Sequence, residues 1–353
     1  MKLEAATKTT NAQWMERWKA SSMGNYAPAT VAFERGLGTK LWDVEGKEYL
    51  DFAAGVAVCS TGHAHPTLAK AIADQASQLL HTSNLYLVPN QIRLAEELIG
   101  LSGLHRAFFC NSGTEALEAC LKIARYWGSK NGNRTDLITT HHAFHGRTMG
   151  ALTLTQNPKY HQGFEPLLPG VRAVDYDNLE AVQHAITSKT CAVVVEPIQG
   201  EGGVNVPRDG YLRGLRDVCN DKGILLILDE VQTGIGRTGE WFSYLKEGIK
   251  PDLLALAKGL GSGFPIGAVL CSEKANVLQP GAHGSTFGGN PLACAAGLAT
   301  LRVIREEQVL ENVRRQGAHL VNHLALFADK NDSIQNVRGT GLLVGFDLKN
   351  GTS

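Results

Sequence analysis

Ile224-Leu-Leu-Ile-Leu-Asp229-Glu230-Val231-Gln232 and, further along, Asp252-Leu-Leu-Ala-Leu-Ala-Lys258-Gly259-Leu-Gly261-Ser-Gly263 decide the fold. Each is an aliphatic run too short for a core helix. Each ends at a charged residue before a turn. Such a run reads as a strand buried on both faces, spanning 224–228 and 253–257 here. Working outward, comparable runs bounded by turn or charged residues occupy 107–110, 137–140, 171–175, 192–195 and 266–271. Amphipathic segments separate several of them. In 114–130, Ala116, Cys120, Ile123 and Trp127 share one helical face, and in 209–222 Leu212, Leu215 and Cys219 do. Strands alternating with helices predict an α/β fold: a mostly parallel seven-stranded sheet flanked by helices.

The chain ends read differently. Asp43-Val-Glu-Gly46 sits between two short apolar stretches within 39–51, as in a hairpin. Near the other end, a long amphipathic helix over 306–329 precedes a strand over 341–347. These predict a smaller α+β domain made from both ends, with residues 1–60 and 301–353 enclosing a large domain over 61–300. A chain of 353 residues that is 43% hydrophobic has material for both cores. Lys+Arg and Asp+Glu both number 34, so there is no basic excess for a nucleic-acid partner. No apolar run is long enough for a membrane span. The seven cysteines form no CxxC pair and mostly sit in apolar runs, which predicts reduced, buried thiols. The first residues show no apolar signal segment, so a cytoplasmic location is expected.

Ligands of open α/β sheets bind beyond the carboxyl ends of the strands, and several polar clusters fall there. Asn111-Ser-Gly-Thr-Glu115 opens the helix after 107–110, where free N–H groups and the helix dipole can cradle a phosphate. Ordinary capping by Ser112 or Thr114 is the plainer alternative. Asp229 ends a buried strand. A carboxylate there needs a positive partner, which a protonated pyridine nitrogen supplies, unless the residue merely caps its turn. Lys258 follows an apolar strand directly. Desolvation would lower its pKa and ready the amine to attack an aldehyde, although most lysines are only solvated surface charges. In Phe144-His-Gly-Arg-Thr148 the ring can stack on a flat heterocycle and Arg147 can fork a carboxylate. His141, His142 and His145 have no HExxH pattern or partner cluster, so no metal site is expected. His283-Gly-Ser-Thr-Phe-Gly-Gly-Asn290 offers a second phosphate contact. Cradle, stacking ring, carboxylate fork, strand-end Asp and desolvated Lys together match the parts expected of a phosphopyridoxal site.

In order along the chain, Asn111–Ala116, Phe144–Thr148, Glu196-Pro-Ile-Gln-Gly-Glu-Gly-Gly203, Asp229–Gly234, Ala257–Leu260 and Gly284–Asn290 resemble class III (subgroup II) aminotransferases of the fold-type I family. The resemblance covers about 25–347. It implies pyridoxal 5′-phosphate as cofactor, with Lys258 as its covalent anchor and proton shuttle and Asp229 on the ring nitrogen. Phe144 and Val231 would take the two ring faces, and Gln232 the phenolic oxygen. Gly113 and Thr114 would hold the phosphate, helped by Thr286 from the partner subunit of a homodimer. Glu230 also belongs to the implied cofactor set. Arg147 and Ser285 would contact substrate, and Glu201 would be a gate pairing with a C-terminal arginine. Tyr26-Ala-Pro and Gly62-His-Ala-His-Pro66 resemble the branch that transfers the terminal amine of N2-acetyl-L-ornithine to 2-oxoglutarate, giving N-acetyl-L-glutamate 5-semialdehyde and L-glutamate in arginine biosynthesis. The same resemblance leaves open succinylornithine, ornithine, 4-aminobutyrate or aminoadipate-type donors. In the family, the arginine partner of Glu201 follows the 341–347 strand. Its absence here leads to the expectation of a truncated or partial sequence, with a non-catalytic cofactor-binding remnant as the alternative should the truncation be genuine.

Overall fold

The structure is a computed structural model that describes residues 9–349. Its centre is a seven-stranded sheet built from β1 (Arg106–Cys110), β2 (Asp136–Thr140), β3 (Val171–Val174), β4 (Thr190–Val195), β5 (Leu225–Asp229), β6 (Leu253–Leu256) and β7 (Gly267–Cys271), in the spatial order β1-β7-β6-β5-β4-β2-β3. All seven predicted strands are present. Neighbours among β2–β6 pair in parallel. β7 alone runs against both of its neighbours, β1 and β6.

The uniform aliphatic character of the inner strands follows from helices covering both faces. Every residue of β4, β5 and β6 is buried. Successive side chains feed opposite layers, as the period of two demands. Leu226 and Leu228 join Leu212, Leu215 and Cys219 of the helix Tyr211–Lys222 on one face. Leu225 and Ile227 join Ala116, Leu117, Cys120 and Ile123 of the helix Gly113–Lys130 on the other.

The chain ends form small sheets of their own. Phe33–Leu37, Lys40–Asp43 and Glu48–Leu50 make a three-stranded antiparallel sheet. Its expected hairpin turn is held by Asp43, whose carboxylate accepts from the Glu45 and Lys47 N–H groups at 3.0 and 2.8 Å. Ile334–Thr340 pairs with Leu343–Leu348. The predicted long helix spans Val309–Ala328 and is separated from the helix Pro291–Glu306 by Gln308, whose φ of 53° breaks the run. All seven cysteines are free, and six are buried. Burial pushes the thiols of Cys110, Cys191, Cys219 and Cys294 up to about 12, which leaves them inert. No described helix is long and apolar enough to cross a membrane.

The residue after Asp229 corrects one expectation. Glu230 does not face the strand-end cavity. It is 1% exposed, and its carboxylate accepts from the Ser243 N–H at 2.7 Å, the Tyr244 N–H at 2.9 Å and the Thr233 hydroxyl at 3.0 Å. Burial pushes its pKa up to about 7, against the pull of those three donors. Glu230 therefore pins the 242–244 turn and is not among the residues lining the cavity. Glu230→Ala orphans three donors and should cost about 3 kcal/mol. A urea midpoint will fall accordingly while cofactor affinity holds within about twofold, and an undisturbed midpoint would refute the structural role.

Candidate active site

β5 and β6 carry their charged ends to the same edge of the sheet. Asp229 pairs in register with Ala255, and Lys258 follows the end of β6 at the start of a one-turn 3-10 helix. The lysine has a φ of 38°, a left-handed conformation that costs a non-glycine residue strain and recurs at functional positions. Lys258 and Asp229 both line a cavity of about 430 Å³ beyond the strand ends. The predicted Gly113, Thr114, Phe144, Arg147, Val231 and Gln232 line the same cavity.

Charge in this cavity is arranged around Asp229, which is 5% exposed. One carboxylate oxygen is 2.7 Å from His145 Nδ1, and the other accepts from the Val231 N–H at 3.0 Å. Burial pulls the His145 imidazole down, but the hydrogen bond and charge of Asp229, with the charge of Glu196, outweigh it and raise the pKa. With Asp229 as the acceptor, the ring donates from Nδ1. Burial lowers the pKa of Lys258, opposed by Asp229, Glu201 and Glu196, so its neutral amine is available at a lower pH than that of a surface lysine.

The start of the helix Gly113–Lys130 is capped and still leaves room for the second reading. Ser112 caps it, its hydroxyl accepting from the Glu115 N–H at 3.3 Å, and this leaves the first-turn N–H groups of Gly113 and Thr114 without intrahelical partners. A Cβ on Gly113 would lie 2.7 Å from Val231 Cγ1, so glycine is required for Val231 to reach the cavity. The Thr114 hydroxyl sits 2.9 Å from that of Thr148.

Ser285, Glu201 and Thr286, the last expected to serve the partner's site, do not line this cavity. Ser285 and Thr286 line a separate cavity of about 210 Å³ with Asn111, Glu115, Glu118 and His283, so within one chain they do not reach Lys258. Their short loop is tied locally: Ser285 Oγ accepts from the Gly288 N–H at 3.0 Å. Glu201 is exposed and outside the cavity wall, acting on Lys258 only through its charge.

Sequence reasoning passed over two residues. His145 was weighed only as a metal ligand, although its place beside Phe144 in a strand-end loop put it near Asp229. Glu196 follows the last residue of β4 and lines the cavity, where burial pushes its pKa up to about 7. Its carboxylate accepts from the Phe144 N–H at 3.1 Å and the Gly200 N–H at 3.3 Å, joining the loop of the stacking ring to the loop of Glu201. Its position at a carboxyl strand end was the available signal. Among the described residues no cluster of His, Cys, Asp or Glu is arranged for a metal.

The arrangement suits a flat, anionic heterocycle: an amine and a carboxylate in one cavity, an aromatic face, and a helix start for a phosphate. Comparison with known proteins agrees. The family model for class-III aminotransferases matches residues 22–353. An acetylornithine aminotransferase of Methanocaldococcus jannaschii is 47% identical over 339 residues, covering 95% of this chain and 85% of that protein. A structure of the ornithine aminotransferase of Toxoplasma gondii, with pyridoxal phosphate at partial occupancy in its active site, superposes with a TM-score of 0.92 at 36% identity, covering 95% of this chain and 80% of that one. The acetylornithine aminotransferase of Elizabethkingia anophelis superposes with a TM-score of 0.83 at 34% identity, covering 95% and 83%. The chain belongs to the class-III aminotransferases.

Proposed function

We propose that the Lys258 cavity holds pyridoxal 5′-phosphate and that the protein transfers the terminal amine of N2-acetyl-L-ornithine to 2-oxoglutarate, giving N-acetyl-L-glutamate 5-semialdehyde and L-glutamate. The carrying observation is that Lys258, Asp229 and the Gly113–Thr114 helix start line one cavity. The residues fit the cofactor. Gly113 leaves the helix start open to a phosphate, and Asp229 is a buried carboxylate already braced by His145. When bound, the cofactor supplies an electron sink that splits amino transfer into two half-reactions.

The chain's own residues do the rest. Asp229, oriented by the His145 and Val231 donors, would hold a proton on the ring nitrogen. Lys258 would anchor the aldehyde and, once displaced, carry a proton between neighbouring carbons. Phe144 and Val231 would confine the ring, and Gln232 would reach its phenolic oxygen.

Substrate choice follows from Arg147. A cation on the cavity wall favours a carboxylate remote from the reacting amine. Free ornithine places an ammonium beside that carboxylate, which Arg147 repels; acetylation removes the charge. Relatives named acetylornithine aminotransferase support the same donor.

A homodimer is part of the reading. Phe52, Leu85, Tyr86, Leu87 and Phe287 are large apolar residues left exposed on one chain, and Thr286 lies outside its own chain's Lys258 cavity. Both are explained if a second copy covers the apolar residues and receives Thr286.

Adding N2-acetylornithine to the cofactor-loaded protein should convert its visible absorption band to the pyridoxamine form, faster than free ornithine does. A band indifferent to acetylornithine but responsive to ornithine would reassign the donor. Lys258→Ala should lower turnover by about 10³-fold or more, and Asp229→Ala by at least about 10²-fold. Substantial activity in either variant would remove that residue from its role. Light scattering should return twice the mass of one chain, and a fully active monomer would contradict the shared site.

A further inference from the structure

Arg147 is an exposed side chain on the cavity wall, and its guanidinium lies 3.5 Å from the centroid of the Tyr160 ring. Phe144, which lines the same cavity, is 5.7 Å away on the same cation and meets Tyr160 edge to face with centroids 6.2 Å apart. Among the described residues no carboxylate pairs with this arginine. A ring face attracts a guanidinium through its quadrupole and leaves the in-plane N–H groups unspent. A carboxylate partner would instead occupy the fork.

Tyr160 is itself held in place. It lies in the turn Pro158–His161, which Asn157 caps by accepting from the Lys159 N–H at 3.1 Å. His161 ties the end of that turn to the carbonyls of Leu152 and Thr155. The fully buried Thr155 also staples the arginine's loop: its hydroxyl accepts from the His145 and Gly146 N–H groups at 2.8 and 3.2 Å and donates to the Gly146 carbonyl at 3.1 Å. Both halves of the arginine–tyrosine stack are therefore fixed to one residue. The tyrosine hydroxyl takes no part in the stack.

We propose that Tyr160 is a positioning residue for substrate specificity: its ring holds the Arg147 guanidinium as a ready fork for the carboxylate of the amino donor. The proposal rests on the reading of Arg147 as the carboxylate-binding residue. Losing the ring frees a flexible cation that must be ordered anew at each binding event, so the effect falls on binding of carboxylate-bearing donors and not on the chemistry.

The test compares N2-acetylornithine with the same molecule carrying a carboxamide in place of the α-carboxylate, in the wild type, Tyr160→Leu and Tyr160→Phe. In Tyr160→Leu, KM for N2-acetylornithine should rise about tenfold with kcat nearly unchanged. The parameters for the carboxamide, and the absorption spectrum of the bound cofactor, should not move. Tyr160→Phe keeps the ring and should behave as the wild type. An unchanged KM in Tyr160→Leu overturns the proposal, as does an equal loss for carboxylate and carboxamide, which would mark general packing. If Tyr160→Leu fails to fold, Tyr160→Phe still decides: a tenfold rise there would show that the hydroxyl and not the ring is responsible. A wild type that treats carboxylate and carboxamide alike would instead bring down the reading of Arg147, and the proposal with it.

Discussion

A carboxylate buried at the end of a central strand is the constraint around which this site is organised. Asp229 belongs to a strand with every residue buried, and an unpaired charge there would cost several kcal/mol. The protein meets that cost with a hydrogen bond from a buried histidine and one from the backbone of Val231. These donors fix the carboxylate's orientation. They also explain the neighbouring geometry. His145 has to come from a loop beyond β2, so Phe144 arrives beside it. Val231 has to turn back to Asp229, and this brings its side chain to the face of Gly113, where only a glycine fits. Stacking ring, opposite wall and helix start thus follow from satisfying one carboxylate.

Glu196 extends this logic to the rim. It lies one residue beyond β4, and its carboxylate ties the backbone of Phe144 to that of Gly200. A single acid therefore couples the loop that bears Phe144 to the loop that bears Glu201. The charges of Asp229, Glu196 and Glu201 oppose the desolvation of Lys258, so its amine is depressed but not stripped of electrostatic support. Asp229 and Glu196 on the cavity wall, with the more distant Glu201, keep the site from becoming a purely apolar pocket.

Much of this was legible in the sequence because burial on both faces leaves a distinctive mark. Uninterrupted aliphatic runs such as 224–228 located the strands, and the strand-end rule then located Lys258, Asp229, Phe144 and Gly113. Direction was harder to read than position. Asp229 and Glu230 are adjacent acids at one strand end, yet the alternation of side chains sends the second to the far side, where backbone donors of 243 and 244 saturate it. That outcome follows from strand geometry and was available in advance. Ser285 does not line the Lys258 cavity of its own chain for another reason: a Gly-rich loop gives composition without orientation. The stack of Arg147 on Tyr160 had no sequence signal, because it joins a loop to a four-residue turn through a contact that has no fixed spacing.

The rim also shows how local strain is held. Ala54, Gly55, Val56 and Ala57 all adopt positive φ, between 49° and 63°, making one left-handed turn of which only one member is glycine. Each non-glycine residue in that conformation costs about 1–2 kcal/mol. Asp51 supplies the restraint: one oxygen accepts from the Ala53 and Ala54 N–H groups at 3.0 and 2.9 Å, and the other lies 2.6 Å from His63 Nε2. His63 is in turn anchored to the first small sheet through paired backbone hydrogen bonds with Gly38 at 2.9 and 2.8 Å. The turn delivers Val58 to the cavity wall while leaving Phe52 and Val56 exposed. A relaxed right-handed turn would follow a different path from Asp51 to Val58, so the strain is the cost of placing one apolar wall residue at a site assembled mainly from the loops beyond the strand ends.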